Sequence, residues 1–158
     1  MKKIDTHYSA QICESGHVIS ASGTTDDEFC SWCGASLICE CPQCGSPIKG
    51  RLIDPFVHGR PYRRPAYCPY CGTPYPWTVK AQEALQELLE LETLAEPEAK
   101  DLLDKSIPDL ISETPKTKVA ATRWRRFLDK LAPAAKETFR QVLIEIMAES
   151  AKRTMFGS

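Results

Sequence analysis

Cys13-Glu-Ser-Gly-His17, Cys30-Ser-Trp-Cys33-Gly34, Cys41-Pro-Gln-Cys44-Gly45 and Cys68-Pro-Tyr-Cys71-Gly72 fall in the one stretch, Cys13 to Cys71, that holds all eight cysteines of the 158-residue chain. Two residues between paired cysteines let both thiolates converge on one ion, and the glycine after them supplies the positive φ that a tight knuckle needs. Two such hooks make one tetrahedral site, so four hooks predict two closed zinc sites. Eight cysteines in a small secreted protein would suggest disulfides. Here Met1-Lys-Lys-Ile-Asp-Thr-His7 lacks the apolar core of a secretory signal, and three Cys-x-x-Cys pairs favour metal.

The first hook reads as a short hairpin, with Ile12, Val18 and Ile19 flanking the ligands and Gly16 at the turn. Residues Val18 to Phe29 run out and return to present Cys30 and Cys33, which makes Cys13, His17, Cys30 and Cys33 the first ligand set. Cys39 competes with His17 for the fourth place, giving an all-cysteine site in which His17 is a surface histidine. Cys39 and Cys41 are two apart and face one side of an extended strand, but only Cys41 carries the knuckle sequence. Cys41, Cys44, Cys68 and Cys71 therefore form the second set, and Cys39 is left as an unreactive thiol, either buried or standing behind the ligands. His7 lies outside the hook spacing and is a weak ligand candidate.

Between the last two hooks, residues 46–67 hold Lys49, Arg51, Arg60, Arg63 and Arg64 interleaved with Phe56, His58, Tyr62 and Tyr67, against the single acid Asp54. Cations beside aromatics grip phosphates and stack on bases, which makes this arm the nucleic-acid candidate. Its four prolines and the small core around it also allow the rings simply to pack on the ribbon or to contact a protein. Catalysis finds no support. Four protein ligands leave zinc no open position, His58 and Cys39 form no recognisable nucleophile and base, and no Gly-rich phosphate loop is present.

Beyond Gly72, the prolines of Thr73-Pro-Tyr-Pro-Trp77-Thr78 mark the exit from the metal unit, with Thr78 as an N-cap. Ala81, Ala84, Leu85, Leu88, Leu91 and Ala95 recur at helical spacing and predict a helix over 79–95. A second helix opens at Pro97 and ends near Ser106. A third follows Thr114-Pro115 to about Leu131, and a last one runs from Pro133 through Ser150. Residues 79–115 carry three Lys/Arg against ten Asp/Glu, and residues 116–158 ten against four. The basic third helix, with Trp124, is compatible with an anionic membrane or nucleic acid, but packing of the acidic and basic helices on each other is the simpler reading. The apolar width of the last helix leaves room for a homo-oligomer.

Composition agrees with a protein free in water: 42% hydrophobic and 26% charged residues, with no stretch approaching the ~20 apolar residues of a membrane span. A cytoplasmic location is the default expectation. The formal net charge of −1 becomes about −4 once two zinc ions and their deprotonated ligands are counted.

Ile12-Cys-Glu-Ser-Gly-His17, Phe29-Cys-Ser-Trp-Cys-Gly34, Cys41-Pro-Gln-Cys44, Pro65-Ala-Tyr-Cys-Pro-Tyr-Cys-Gly72 and Pro74-Tyr-Pro-Trp-Thr78 together resemble an uncharacterised bacterial double-zinc-ribbon family, a domain of unknown function. The resemblance continues through Asp109-Leu-Ile, Thr114-Pro-Lys-Thr117 and Glu149-Ser-Ala-Lys152. It implies a bacterial cytoplasmic protein with ligands at Cys13, His17, Cys30, Cys33, Cys41, Cys44, Cys68 and Cys71, from which Cys39 departs as an additional thiol. The reading is thus an α+β chain: tandem zinc ribbons over 8–78, then three or four helices over 79–156. Its expected role is a noncatalytic protein-interaction or scaffold module with an unidentified protein partner, nucleic-acid binding through 49–67 and 116–131 being the alternative.

Overall fold

Apolar residues between the hooks come in ones and twos, so only short strands can form, and the chain must find order elsewhere. The computed structural model describes residues 6–54, 56, 60–93 and 95–157; His58 lies outside them. The chain divides into two units, Met1–Val79 and Lys80–Ser158. Its architecture is α+β, with small antiparallel sheets followed by five helices.

In the first unit, β1 (His7–Ser9) pairs antiparallel with β5 (Lys49–Leu52), and β2 (Gln11–Cys13) lies between β3 (Val18–Ser20) and β4 (Leu37–Ile38). Ala10 is the crossing point between the two sheets; its N–H donates to the Ile48 carbonyl at 2.8 Å, and the Ile48 N–H donates to that of Cys39 at 2.9 Å. Ala10, Ile12, Ile48, Tyr75 and Trp77 form the core with Cys41 and Cys68. This is little apolar surface for a unit of that length.

Buried polar contacts hold the arms. The Gln11 amide is 6% exposed; its oxygen accepts from the Thr25 N–H at 2.7 Å and its nitrogen donates to the Asp27 carbonyl at 3.3 Å, which pulls back the arm leading to Cys30. The tip of that arm crosses β5, where the Arg51 N–H donates to the Ala21 carbonyl at 2.7 Å. Gly50 is required there, because any Cβ would collide with the Ala21 oxygen and reach 2.8 Å from that of Tyr8.

Helix α1 (Pro76–Leu91) starts three residues before the expected Val79. Pro76 suits the first turn, and the Thr78 hydroxyl does not cap but donates to the Ala66 carbonyl at 2.7 Å. The second unit adds α2 (Pro97–Ile111), α3 (Thr117–Leu128), α4 (Pro133–Ile146) and α5 (Glu149–Phe156). Helix α2 continues past Ser106 through Pro108, although a proline inside a helix costs roughly 3 kcal/mol. Burial of Ile107, Leu110 and Ile111 offsets it. Helix α3 begins at Thr117 rather than Pro115, because the Thr117 hydroxyl donates to the Ser112 carbonyl at 2.7 Å and closes a turn over 114–117.

The expected last helix is two helices. At Met147 and Ala148 the backbone is extended, with ψ of 148° and 151°. The Ala148 N–H donates to the Leu110 carbonyl at the end of α2, and the Glu113 carboxylate accepts from the Ser150 N–H at 3.0 Å. A carboxylate at the start of α5 also suits the helix dipole. Helix α3 packs on α2 and α5 around Trp124, which is fully buried. Pairs such as Lys105–Asp101 and the part-buried Lys152–Glu149 run along single helices, where solvent screens them and they add little to stability. Among the described residues, no helix is long and apolar enough to cross a membrane.

Candidate metal centre

Three hooks repeat one backbone device. The N–H groups of Gly34, Gly45 and Gly72 donate to the carbonyls of Cys30, Cys41 and Cys68, each at 2.8 Å, with glycine φ of 74°, 73° and 75°. The first cysteine's N–H then bonds the carbonyl just past that glycine, in Ala35, Ser46 and Thr73. Each knuckle therefore buries its first cysteine and exposes its second. The Cys13–His17 hook differs, being the turn between β2 and β3. Gly16 has φ 96° there, and its carbonyl accepts a hydrogen bond from the Arg64 guanidinium. A Cβ on Gly16 would come within 2.9 Å of Trp77 Cβ, so only glycine fits against the exit of the metal unit.

These turns gather Cys13, His17, Cys30 and Cys33 into one cluster and Cys41, Cys44, Cys68 and Cys71 into another, with the donor atoms of each within 4.8 Å of one another. Neighbouring hooks thus pair in sequence. Sulfur separations across hooks are 3.8 Å for Cys13–Cys33, 3.8 Å for Cys41–Cys71 and 3.7 Å for Cys44–Cys68. His17 Nδ1 lies 3.4 Å from Cys13 Sγ and 3.5 Å from Cys30 Sγ. A tetrahedral ion with bonds of about 2.3 Å to sulfur and about 2.0 Å to nitrogen sets S···S edges of ~3.8 Å and S···N edges of ~3.5 Å. Disulfides would bring sulfurs to about 2.05 Å. The spacing fits two closed, four-donor metal sites. Cys39 belongs to neither and is half-buried rather than buried, and His7 in β1 instead meets the Thr6 hydroxyl through Nδ1 at 3.1 Å.

Thiolates this close repel, and the thiols of each site titrate apart. Burial pushes Cys41 up to about 11 and raises Cys13. The Ala35 N–H draws Cys33 down to about 6. At Cys68 desolvation is the largest single influence, yet the N–H groups of Tyr70 and Cys71 together with Cys44 outweigh it and bring the thiol to about 6. A divalent cation at the centre would hold all of them ionised together.

Reading the hooks alone misses what stands behind them. Tyr75 is fully buried, stacked on Trp77 with ring centres 4.7 Å apart, and its hydroxyl has no partner in regular hydrogen-bond geometry. Burial first, and the adjacent Cys68 second, raise its pKa well above an ordinary phenol. A donor this near the Cys68 sulfur would steady its thiolate once an ion is bound, as partners behind metal ligands do. Replacing Tyr75 by Phe is expected to weaken metal binding at the second site about 10-fold while leaving the fold intact. Competition against a chromophoric chelator reads this directly, and unchanged affinity would remove the hydroxyl from the site. Its sequence signal was present in Thr73-Pro-Tyr-Pro-Trp77, which periodicity marks only as an exit.

No curated protein and no solved structure matches the chain. A family model does match, over residues 6–155, so that one family spans both the metal clusters and the helices that follow them in sequence: the chain belongs to the bacterial family described as uncharacterized protein conserved in bacteria (DUF2321).

Proposed function

We propose that the chain is a noncatalytic, cytoplasmic binding module in which two zinc ions are structural and the surfaces they order meet a protein partner. The observation that carries this reading is the completeness of both donor sets. Four protein donors at the corners of a tetrahedron leave a metal ion no position for water or substrate. Three thiolates with an imidazole, and four thiolates, suit an ion of intermediate softness and no geometric preference of its own, which is zinc.

Two rings in and beside the Cys30–Cys33 knuckle stay largely in solvent. Trp32 is 76% exposed, edge-on to His17 with ring centres 5.2 Å apart, and Phe29 beside the same knuckle is 61% exposed. Exposed aromatics on a rigid turn lose little conformational freedom on contact, which is why such residues anchor protein interfaces.

Metal analysis of the purified protein is expected to return two zinc ions per chain. Cobalt substitution is expected to show two tetrahedral spectra, with thiolate charge-transfer intensity for three and for four sulfurs. A five- or six-coordinate spectrum that shifts on adding anions would mean an open site, and the noncatalytic reading would fail.

A further inference from the structure

Between residues 6 and 79 every lysine and arginine lies in the segment 49–64, whereas Glu14, Asp26, Asp27, Glu28 and Glu40 all precede it. Arg64 is turned to the Gly16 carbonyl. The other four, Lys49, Arg51, Arg60 and Arg63, line one cleft of about 800 Å³, and among the described residues lining it Asp54 is the only carboxylate. A stretch with five cations against six carboxylates has thus gathered four of its cations into one concavity.

Rings accompany the charges. Tyr8, from β1, lines the cleft and is 43% exposed. The Tyr62 hydroxyl donates to the Lys49 carbonyl at 2.5 Å, which fixes that ring as a wall. The Arg51 guanidinium donates to the Arg60 carbonyl at 2.6 Å, so the cleft's two sides, strand β5 and segment 60–65, are tied together. Lys49 Nζ also stands 5.7 Å from the ring centre of Tyr70, a residue of the last hook that is 55% exposed. Tyr70 does not itself line the cleft; Lys49, which does, reaches from it to this aromatic on the last hook.

We infer that this cleft binds single-stranded nucleic acid, with phosphates on Lys49, Arg51, Arg60 and Arg63 and unstacked bases against Tyr8 and Tyr70. Cations along a groove with flanking rings are what strand binding without sequence preference requires. A duplex keeps its base faces stacked inside and has nothing to offer the two tyrosines. An acidic peptide would satisfy the cations and leave the rings idle. The inference rests on the metal-ordered fold of this unit and goes beyond its structural role.

The test uses the full chain, loaded with two zinc ions, and fluorescein-labelled 12-nucleotide dT and rU strands read by anisotropy. Both strands are expected to bind, DNA and RNA being separated by their relative affinities. Four neutralised phosphates predict a slope of about −3 in log affinity against log salt, or about 50-fold weaker binding from ~50 to ~200 mM. The double variant Lys49→Glu/Arg60→Glu should lose at least about 10-fold and flatten that slope. Tyr70→Ala should lose at least about 5-fold with the slope unchanged. Metal content measured on each variant separates a failed fold from a failed cleft, and Arg60→Glu alone serves if the double variant does not hold two zinc ions. Equal affinity for a 12-base-pair duplex, equal affinity for a polyglutamate of matched charge, or variants that bind like the parent would each overturn the inference.

Discussion

Chelating the metal is expected to unfold residues 6–79 and to leave the helical unit folded. Away from the ligands, the apolar residues buried in the first unit, among the described ones, are Ala10, Ile12, Ile48, Tyr75 and Trp77, with Ile38 and Tyr62 partly buried against them, and its strands are two to four residues long. Such a core cannot offset the entropy of ordering that length of chain. Structural zinc sites contribute on the order of 10 kcal/mol each to folding, far more than any single side chain here. The helical unit has its own core, from Leu85 to Met155, and needs no metal. Chelation should therefore abolish the near-ultraviolet signal of Tyr75 and Trp77 while most helical circular dichroism persists. Cys41→Ser should lose the second site outright. It should also weaken the first, because Arg51 to Ala21 and Ala10 to Ile48 tie the two ribbons together. Cys39→Ser, outside both clusters, should keep two metal ions per chain and change stability by less than about 1 kcal/mol. Slow hydrogen exchange surviving at Ala10, Ile48 and Arg51 in the metal-free chain would sink this account.

Ligand chemistry is local, and that is why the hooks are legible. Cys-x-x-Cys-Gly states its own geometry, and the three knuckles repeat it with glycine φ within a few degrees. The contest between His17 and Cys39 could not be decided locally. It turns on Gly16, whose left-handed turn swings His17 Nδ1 to within 3.5 Å of two sulfurs, and on β4, which commits the Cys39 backbone to Ile48. Helix type was readable from periodicity and helix ends were not. Met147 and Ala148 are ordinary helix formers, and only a carbonyl offered by Leu110 and a carboxylate offered by Glu113 end α4 there. Pro108 illustrates the reverse, a local breaker carried along by buried neighbours. The arm 49–67 was visibly basic and aromatic, but its concavity depends on residues 7–9 pairing with 49–52, a long-range register that composition cannot encode.

Replacing Trp124 by Ala is expected to destabilise the helical unit by about 3–5 kcal/mol, the second largest effect of any change considered. Trp124 is fully buried, with Phe127 edge-on at 6.0 Å and Phe139 at 6.2 Å, and its indole N–H donates to the Ser106 hydroxyl at 3.0 Å. That hydroxyl in turn donates to the Leu103 carbonyl at 2.7 Å. Truncation would leave a cavity where α3 meets α2 and α5 and remove the donor that Ser106 accepts. Small domains hold only about 5–15 kcal/mol in total, so the unit would lose a large share of its stability. Trp124→Phe keeps a ring in place and should cost less, about 1–3 kcal/mol, for lost volume and one hydrogen bond. Urea titration followed by far-ultraviolet circular dichroism measures both, and metal content should stay at two per chain, since every ligand lies in the other unit. The result also bears on what α3 is for. An interfacial membrane helix places its tryptophan at the lipid surface beside its cations. In α3 the tryptophan lies at the centre of the protein core while Arg123, Arg125 and Arg126 are exposed. If Trp124→Ala left stability within about 1 kcal/mol and instead abolished binding to anionic vesicles, α3 would have to be read as a membrane element. A loss of several kcal/mol with no vesicle binding by the parent chain makes it the central strut of the bundle.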